Sequence, residues 1–174
     1  MQSIFGTDGI RGIFNKDITY DLAQKIGYAF GSLNCDTQKV LIGRDTRVSG
    51  DLLLDALSNG LNKSGKEVID IGICPTPAIP FLIKQFKIYS GIMISASHNP
   101  PEYNGIKIFD HFGCKLNKKK ELEIESNLKK INSNLFLRKE KYIEKKFDLL
   151  NIYKQSLIES IGNNNLNGMK IILD

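Results

Sequence analysis

The sequence predicts an α/β protein, namely a three-layer α/β/α domain with a mostly parallel mixed sheet and an antiparallel edge strand. Short apolar runs typical of buried strands alternate with amphipathic stretches of helical period through the first half of the chain. Such alternation is typical of strand–helix–strand units with parallel strands. The apolar run at residues 106–109 follows the strand at 91–95 too closely for a crossover helix. It is therefore expected to return antiparallel, at a sheet edge.

The first half of the chain contains two predicted helices on either side of a strand. Thr19 is a suitable N-cap for a helix over residues 20–33, whose apolar residues fall on one face. The run KVLIG at residues 39–43 predicts a buried strand. Ser49 can cap the second helix, and Gly65 is placed to end it.

The second half continues this alternation and then becomes irregular. Its predicted elements are strands at residues 67–71, 91–95 and 106–109, and helices at 78–86, 118–131 and 147–160. The lysine-rich stretch that ends at Lys146 has neither a helical nor a strand period, so it is predicted to be irregular.

The end of the chain predicts the start of a second domain. Residues 162–168, GNNNLNG, are typical of a linker, and residues 169–173 form a new apolar run with the pattern of a strand. A strand with nothing after it cannot bury its side chains, so this run is expected to open a truncated domain. The predicted division is a first domain over residues 1–146, followed by a connecting helix, a linker and a strand over residues 147–174.

Composition excludes several classes of protein. The chain has 174 residues, of which 41% are hydrophobic and 25% charged, as in ordinary globular proteins. No apolar run approaches the ~20 residues of a membrane span, and the chain does not open with a charged and then apolar leader. A cytoplasmic location without membrane binding is therefore expected. The three cysteines and two histidines lack disulfide or zinc spacing, so buried or idle thiols are expected.

The net charge of +5 comes from one segment. Residues 115–146 contain ten lysines and Arg138 against five glutamates, so the rest of the chain is close to neutral. The segment lacks a nucleic-acid-binding motif and has few aromatic residues, so a solvated surface is the favoured interpretation and nucleic acid is not an expected partner.

A polar elbow, SASHNPP, follows the central predicted strand. Pro100 and Pro101 fix two successive φ angles, so the elbow is expected to be rigid. Loops beyond strand ends are where α/β proteins commonly carry functional side chains. Ser97, His98 and Asn99 are therefore the first candidate site residues.

The elbow admits two kinds of chemistry. A Ser97–His98 hydrolase pair is disfavoured, because neighbouring residues of an extended loop point in opposite directions and the chain has no G-x-S-x-G elbow. A phosphoserine fits better, because a serine on a rigid strand end can carry a phosphoryl group that is a dianion at neutral pH. Phosphoryl transfer then depends mainly on positioning and on stabilising cations.

Two cations are candidates for that role. Arg11 lies among the three glycines of FGTDGIRG, residues 5–12, and its guanidinium suits a phosphate. Lys107 lies in the returning strand. From the residues alone, Lys107 fits a site cation and a solvent-exposed strand lysine equally well.

The loop GRDTRVSG, residues 43–50, contains three further charged side chains. Arg44, Asp45 and Arg47 are expected to form a structural ion-pair network that supports the loop, in preference to direct ligation of a substrate.

Four motifs stand in order along the chain: GTDGIRG at residues 6–12, GRDTRVSG at 43–50, ISASHNP at 94–100 and NGIK at 104–107. In this order and spacing they resemble the motifs of the α-D-phosphohexomutases, and the resemblance covers essentially the whole chain. It implies an enzyme that interconverts the 6-phosphate and 1-phosphate of a sugar through a phosphoserine and a bisphosphorylated sugar.

The resemblance also implies the roles of individual residues. Ser97 would be the phosphoserine, and its phosphate would be a Mg²⁺ ligand. Lys107 would transfer a proton, or at least place a cation by the transferred group. Arg11, His98 and Asn99 would hold the phosphoserine and the phosphate in transfer. In the family, the other Mg²⁺ ligands and the sugar-binding loops belong to later domains that this chain does not contain, so the chain alone is expected to be inactive.

The substrate class follows from the same resemblance. An opening of FGTDGIRG together with ISASHNP is most similar to the family members that act on glucosamine phosphates. One alternative is a mutase of the same family for mannose or glucose phosphates. The other is a non-catalytic domain that binds phosphosugars.

Overall fold

The four strands predicted before residue 110 and the five predicted helices are present in the predicted order, and two further strands lie at residues 10–13 and 143–145. The computed structural model describes residues 3–33, 38–87, 90–136, 142–162 and 167–172. The strands are β1 (Ile10–Ile13), β2 (Lys39–Arg44), β3 (Glu67–Ile73), β4 (Ser90–Ile94), β5 (Tyr103–Phe109) and β6 (Ile143–Lys145). The helices are α1 (Tyr20–Gly31), α2 (Gly50–Lys63), α3 (Ala78–Phe86), α4 (Lys118–Leu128) and α5 (Leu149–Ile161), with a 3₁₀ turn at Ser133–Phe136.

One mixed sheet has the strand order β1-β5-β4-β2-β3-β6. The four strands β4, β2, β3 and β6 run parallel, and β5 runs antiparallel to both of its neighbours. The predicted antiparallel return is therefore confirmed, but its predicted position at the edge is wrong. That edge belongs to β1, which the sequence does not predict as a strand and which pairs with the open side of β5.

Two apolar cores lie on opposite faces of this sheet, which confirms the three-layer architecture. On one face, α1, α2 and α4 cover the strands, and the core includes Ile26, Leu57 and Ile94. On the other face, α3 and the start of α5 cover Leu41 and Met93. Ile106 and Ile108, on either side of Lys107, belong to the first core. Because strand side chains alternate between faces, the Lys107 side chain lies on the opposite face, the one that α3 covers.

The two predicted N-caps differ in what their side chains do. The Thr19 hydroxyl accepts a hydrogen bond from the Leu22 amide at 3.1 Å, as the sequence predicts. Ser49 occupies the N-cap position of α2 but makes no capping hydrogen bond. Its Oγ instead accepts a 2.8 Å hydrogen bond from the buried Asn104 side chain. Gly65 follows the end of α2 with φ +83°, as expected of a residue that ends a helix.

Helices α1 and α2 approach each other closely at two glycines. A Cβ added to Gly60 would lie 2.0 Å from the Gln24 carbonyl oxygen, and one added to Gly27 would lie 2.3 Å from the Leu57 carbonyl oxygen. Both obstacles are backbone atoms, so neither can move without displacing a helix.

We expect Gly60→Ala to destabilise the fold by about 1–3 kcal/mol, because the added methyl group must force the two helices apart. In an ordinary helix interior the same change stabilises by about 1 kcal/mol. Urea unfolding of both proteins measures the difference. A more stable variant would contradict the close approach of α1 and α2.

The C-terminal part differs from its prediction in two places. Residues 143–145 of the stretch predicted to be irregular form β6, which pairs in parallel with β3. The predicted strand at residues 169–173 is not observed, since the described part, residues 167–172, contains no strand. These residues are exposed, and a strand forms only where a neighbouring strand supplies hydrogen-bonding partners.

The start of α5 is attached to the domain, because the Tyr153 ring packs against that of Phe81 with a centroid distance of 5.4 Å. Among the described helices, none is long and apolar enough to cross a membrane.

Candidate functional site

Ser97 lies at the tip of the elbow, in a backbone conformation that residues other than glycine rarely adopt. Its φ is +58°, in the left-handed region, although it is not a glycine. The two residues before it are buried, whereas Ser97 itself is exposed. The Ser97 amide donates to Ser95 Oγ at 3.0 Å, and the Asn99 amide donates to the Ala96 carbonyl at 3.2 Å. These two hydrogen bonds hold the backbone of the turn, and the Ser97 hydroxyl remains accessible to a substrate.

Two glycines let the neighbouring loops approach β5. A Cβ on Gly105 would lie 2.5 Å from the Ser95 carbonyl oxygen, where the elbow begins. Gly9, with φ +91°, would place a Cβ 2.5 Å from the Ile106 carbonyl oxygen. The Gly6–Gly9 turn is closed by a 2.9 Å hydrogen bond from the Gly6 amide to the Gly9 carbonyl. The turn and the elbow therefore meet at the same end of β5.

The Arg47 side chain binds the backbone of the elbow. Its Nη1 donates to the carbonyls of Pro100 (2.6 Å) and Tyr103 (3.0 Å). Its Nη2 donates to the carbonyls of Ser97 (2.9 Å) and Asn99 (2.7 Å). One guanidinium therefore satisfies four carbonyl groups, three in the elbow and one at the first residue of β5.

The predicted support network is confirmed for two of its three members. Arg47 Nε lies 3.0 Å from Asp45 Oδ2, so the carboxylate orients the guanidinium that binds the elbow. The Asp45 amide donates to the Ile94 carbonyl at the end of β4. Arg44 lies apart from this network, because its Nη2 pairs with Asp51 of α2 at 2.7 Å.

A second network has the Asp8 carboxylate at its centre. Lys107 Nζ lies 2.7 Å from Asp8 Oδ2, and Arg11 Nη2 lies 3.4 Å from the same oxygen. Lys115 pairs with the other carboxylate oxygen. Arg11 also donates from Nη1 to Asn99 Oδ1 at 2.7 Å. This chain of contacts joins Lys107 to the elbow two residues beyond Ser97.

The five predicted site residues lie on neighbouring elements. Lys107 is only 9% exposed, so the alternative of a solvent-exposed strand lysine is wrong. Arg11 and Asn99 are in direct contact. Ser97 and His98 are exposed on the elbow.

Asp8 and Lys115 are members of this network that sequence reasoning did not select. Asp8 belongs to the GTDGIRG motif but is not among the predicted site residues. Lys115 was counted among the solvated lysines, yet the bridge between Phe109 and Lys115 brings it back beside β5. The only signal in the sequence was the turn DHFG, whose Gly113 has φ +70° and allows the chain to reverse.

Electrostatics fix the ionisation state of the central carboxylate. Hydrogen bonds from the ammonium groups of Lys107 and Lys115 lower the pKa of Asp8 from 3.8 to about 2. Asp8 is therefore an anion at neutral pH. Its interaction with the lysines stabilises the folded chain at any pH where the unfolded chain also carries an ionised Asp8.

We expect Asp8→Asn to reduce stability at neutral pH by an amount that disappears in acid. The folded-state pKa is depressed, so the stabilisation is complete above about pH 4 and is lost as the pH falls toward about 2. Urea unfolding of the two proteins at a series of pH values measures this difference. A difference that stayed constant down to pH 2 would contradict it.

The described cysteines play no part in this arrangement. Burial raises the pKa of Cys74 to about 12, so its thiol stays protonated. Cys114 is exposed and unpaired, and Cys35 lies outside the described residues.

A magnesium site needs several oxygen ligands close together. In the described part of the chain, no group of three histidine, cysteine or acidic side chains could hold a metal ion. Mg²⁺ requires octahedral oxygen coordination, and the exposed Ser97 hydroxyl, if phosphorylated, offers one phosphate. The side chains described here therefore do not form a magnesium site by themselves.

Comparison with known proteins places this site in a family context. Residues 2–135 match the profile described as phosphoglucomutase/phosphomannomutase, alpha/beta/alpha domain I. The chain is 61% identical over 175 residues to the phosphoglucosamine mutase of Prochlorococcus marinus strain MIT 9215. It is 42% identical over 178 residues to that of Synechococcus sp. strain WH7803.

A solved structure shows the same fold. The phosphoglucomutase/phosphomannomutase family protein of Burkholderia thailandensis superposes with a TM-score of 0.75 and 28% identity, over 96% of this chain and 37% of that protein. The two sequence relatives are matched over 100% and 99% of this chain. The chain spans only 39% and 38% of their respective lengths.

Proposed function

Because the chain belongs to the phosphoglucomutase/phosphomannomutase family, we propose that it forms the phosphoryl-carrying part of a phosphoglucosamine mutase. In this proposal the complete enzyme interconverts glucosamine 6-phosphate and glucosamine 1-phosphate. The assignment to glucosamine rests on the relatives that carry this name at up to 61% identity. Residues 1–146 would be the domain with the phosphoserine, and residues 147–174 would lead into the next one.

The observation that carries the proposal is the exposed, left-handed Ser97 beside a cluster of cations. The Ser97 hydroxyl is free for modification, while its backbone is held by Arg47. Arg11 reaches the elbow through Asn99, and Lys107 is linked to Arg11 through Asp8. Preorganised cations of this kind stabilise the charge of a phosphoryl group in transfer.

Each half of the proposed reaction moves one phosphoryl group and one proton. A sugar hydroxyl attacks the phosphorus of phosphorylated Ser97, so a bond from phosphorus to the sugar oxygen forms and the bond to Ser97 Oγ breaks. The proton of the attacking hydroxyl ends on Ser97 Oγ. Lys107 is proposed to relay it or to stabilise the charge, and Arg11, His98 and Asn99 to hold the phosphate. The bisphosphorylated sugar then turns and returns its other phosphoryl group to Ser97.

Magnesium enters this proposal only through the phosphate on Ser97. When bound, the ion would neutralise phosphoryl charge during transfer. No step above is assigned to it, since the remaining ligands would have to come from outside the described side chains.

A hybrid enzyme tests the proposal. Residues 1–174 of this chain would replace the aligned segment of the Prochlorococcus marinus strain MIT 9215 protein, which is 61% identical. We expect the hybrid to convert glucosamine 6-phosphate to glucosamine 1-phosphate, and intact mass analysis to show one phosphoryl group at Ser97. The unaltered relative is the positive control.

Two outcomes would contradict the proposal. A folded hybrid that binds glucosamine 6-phosphate without converting it would favour a non-catalytic phosphosugar-binding domain. A hybrid that converts the sugar while Ser97 stays unmodified would place the phosphoryl carrier elsewhere.

A further inference from the structure

One carboxylate organises three cations beside the elbow. Lys107 and Arg11 share Asp8 Oδ2, and Lys115 takes Oδ1. Three positive groups and one negative group leave a net charge of +2. That charge suits the phosphoryl dianion proposed for Ser97, whose charge approaches about −2 at neutral pH. Asp8 therefore brings the cations together without neutralising them.

The carboxylate is held at a fixed position relative to β5. Asp8 lies within the Gly6–Gly9 turn, and this turn rests on β5 because Gly9 has no side chain to collide with the Ile106 carbonyl. Lys107 belongs to β5, so the two partners sit on elements in direct contact. A lysine ammonium ends a flexible four-carbon stem, which needs such a fixed partner to be held in one place.

Both oxygens of the Asp8 carboxylate are paired with cations. The cavity that Asp8, Lys107 and Lys115 help to line has a volume of about 70 Å³. Both lysine partners line this cavity together with the carboxylate. In this proposal the carboxylate contacts the cations, and the cations contact the phosphate on Ser97.

We infer that Asp8 is a positioning residue, which holds Lys107 and Arg11 beside the phosphoryl group. Its second carboxylate oxygen pairs with Lys115. The inference rests on the proposed function, because it assumes phosphoryl transfer at Ser97. A lysine freed from Asp8 would sample many rotamers, and a misplacement of about 1 Å can reduce a rate about 10²-fold.

A double-mutant cycle in the hybrid enzyme tests this role. We expect Asp8→Asn to lower kcat about 10²-fold with little change in KM, because the ground state binds sugar through other groups. Lys107→Met should also lower kcat more than it raises KM. If Asp8 acts through Lys107 and Arg11, removing Asp8 should matter less once Lys107 is absent, so the double variant should be slowed by less than the product of the two single effects. Independent losses that multiply in the double variant would overturn the inference.

A matched control separates this effect from the loss of any ion pair. Asp21 pairs with Lys25 on α1 at 2.7 Å, the same distance as between Asp8 and Lys107. Asp21→Asn should leave kcat unchanged. A loss equal to that of Asp8→Asn would show that the effect is not specific to the site.

A measurement on the 174-residue chain does not depend on activity. NMR relaxation of Lys107 Cε reports how far its side chain is restrained. We expect Asp8→Asn to lower the order parameter of Lys107 toward that of exposed lysines, while Asp21→Asn leaves it unchanged. An unchanged order parameter in Asp8→Asn would overturn the positioning role. An inactive hybrid with a restrained Lys107 would instead contradict only the proposed function.

Discussion

Ser97→Ala is expected to remove nearly all isomerisation by the hybrid enzyme while leaving its fold intact. Alanine has no hydroxyl to accept the phosphoryl group, so neither half of the proposed reaction can begin. The Ser97 side chain is exposed, and its removal leaves no cavity. The assay is conversion of glucosamine 6-phosphate, with circular dichroism as the test of folding. Turnover close to that of the unmodified hybrid would exclude Ser97 as the carrier.

A second substitution at the same position separates chemistry from backbone strain. The left-handed φ of +58° costs a residue with a side chain about 1–2 kcal/mol, a cost that glycine avoids. Ser97→Gly should therefore be inactive like Ser97→Ala, yet more stable than it by about 1 kcal/mol. Equal stabilities in urea unfolding would contradict the strain. Ser160→Ala, at an exposed serine of α5, is a control that should change neither activity nor stability.

Arg47→Met should disorder the elbow. The substitution removes four hydrogen bonds to the elbow and the first residue of β5, and the Asp45 carboxylate loses its ion pair. The Arg47 side chain is only 11% exposed, so breaking this pair is expected to cost about 3 kcal/mol. Activity of the hybrid should fall at least about 10²-fold, because Ser97 loses its fixed position. Urea unfolding and sugar conversion measure the two effects.

Two further variants make the Arg47 prediction specific. Arg47→Lys keeps the charge but cannot place its donors in a planar fork, so it should recover little of the loss. Arg44→Met removes a neighbouring arginine that pairs with Asp51 and does not contact the elbow, so activity should be retained. Full recovery by Arg47→Lys would show that charge alone matters, contrary to the role inferred from the four carbonyls.

The order of elements and the elbow could be predicted because their signals are local. Apolar period, an N-cap such as Thr19 and the proline pair at 100–101 each act within a few residues of the structure they specify. The prediction of a strand at residues 169–173 used the same kind of signal. It is not borne out over residues 169–172, because strand formation also depends on a partner.

The tertiary structure alone decided which distant residues meet. Three of these contacts join segments far apart in the chain. They are the pairing of β1 with β5, the hydrogen bonds from Arg47 to the elbow and the ion pair of Asp8 with Lys115. Local pattern carries no information about such pairs, because the contacts depend on strand order and on close approaches at Gly9 and Gly105. The sequence by itself therefore determined the layered fold and the chemical groups of the site. Their assembly around one carboxylate followed only from the packing of the loops on β5.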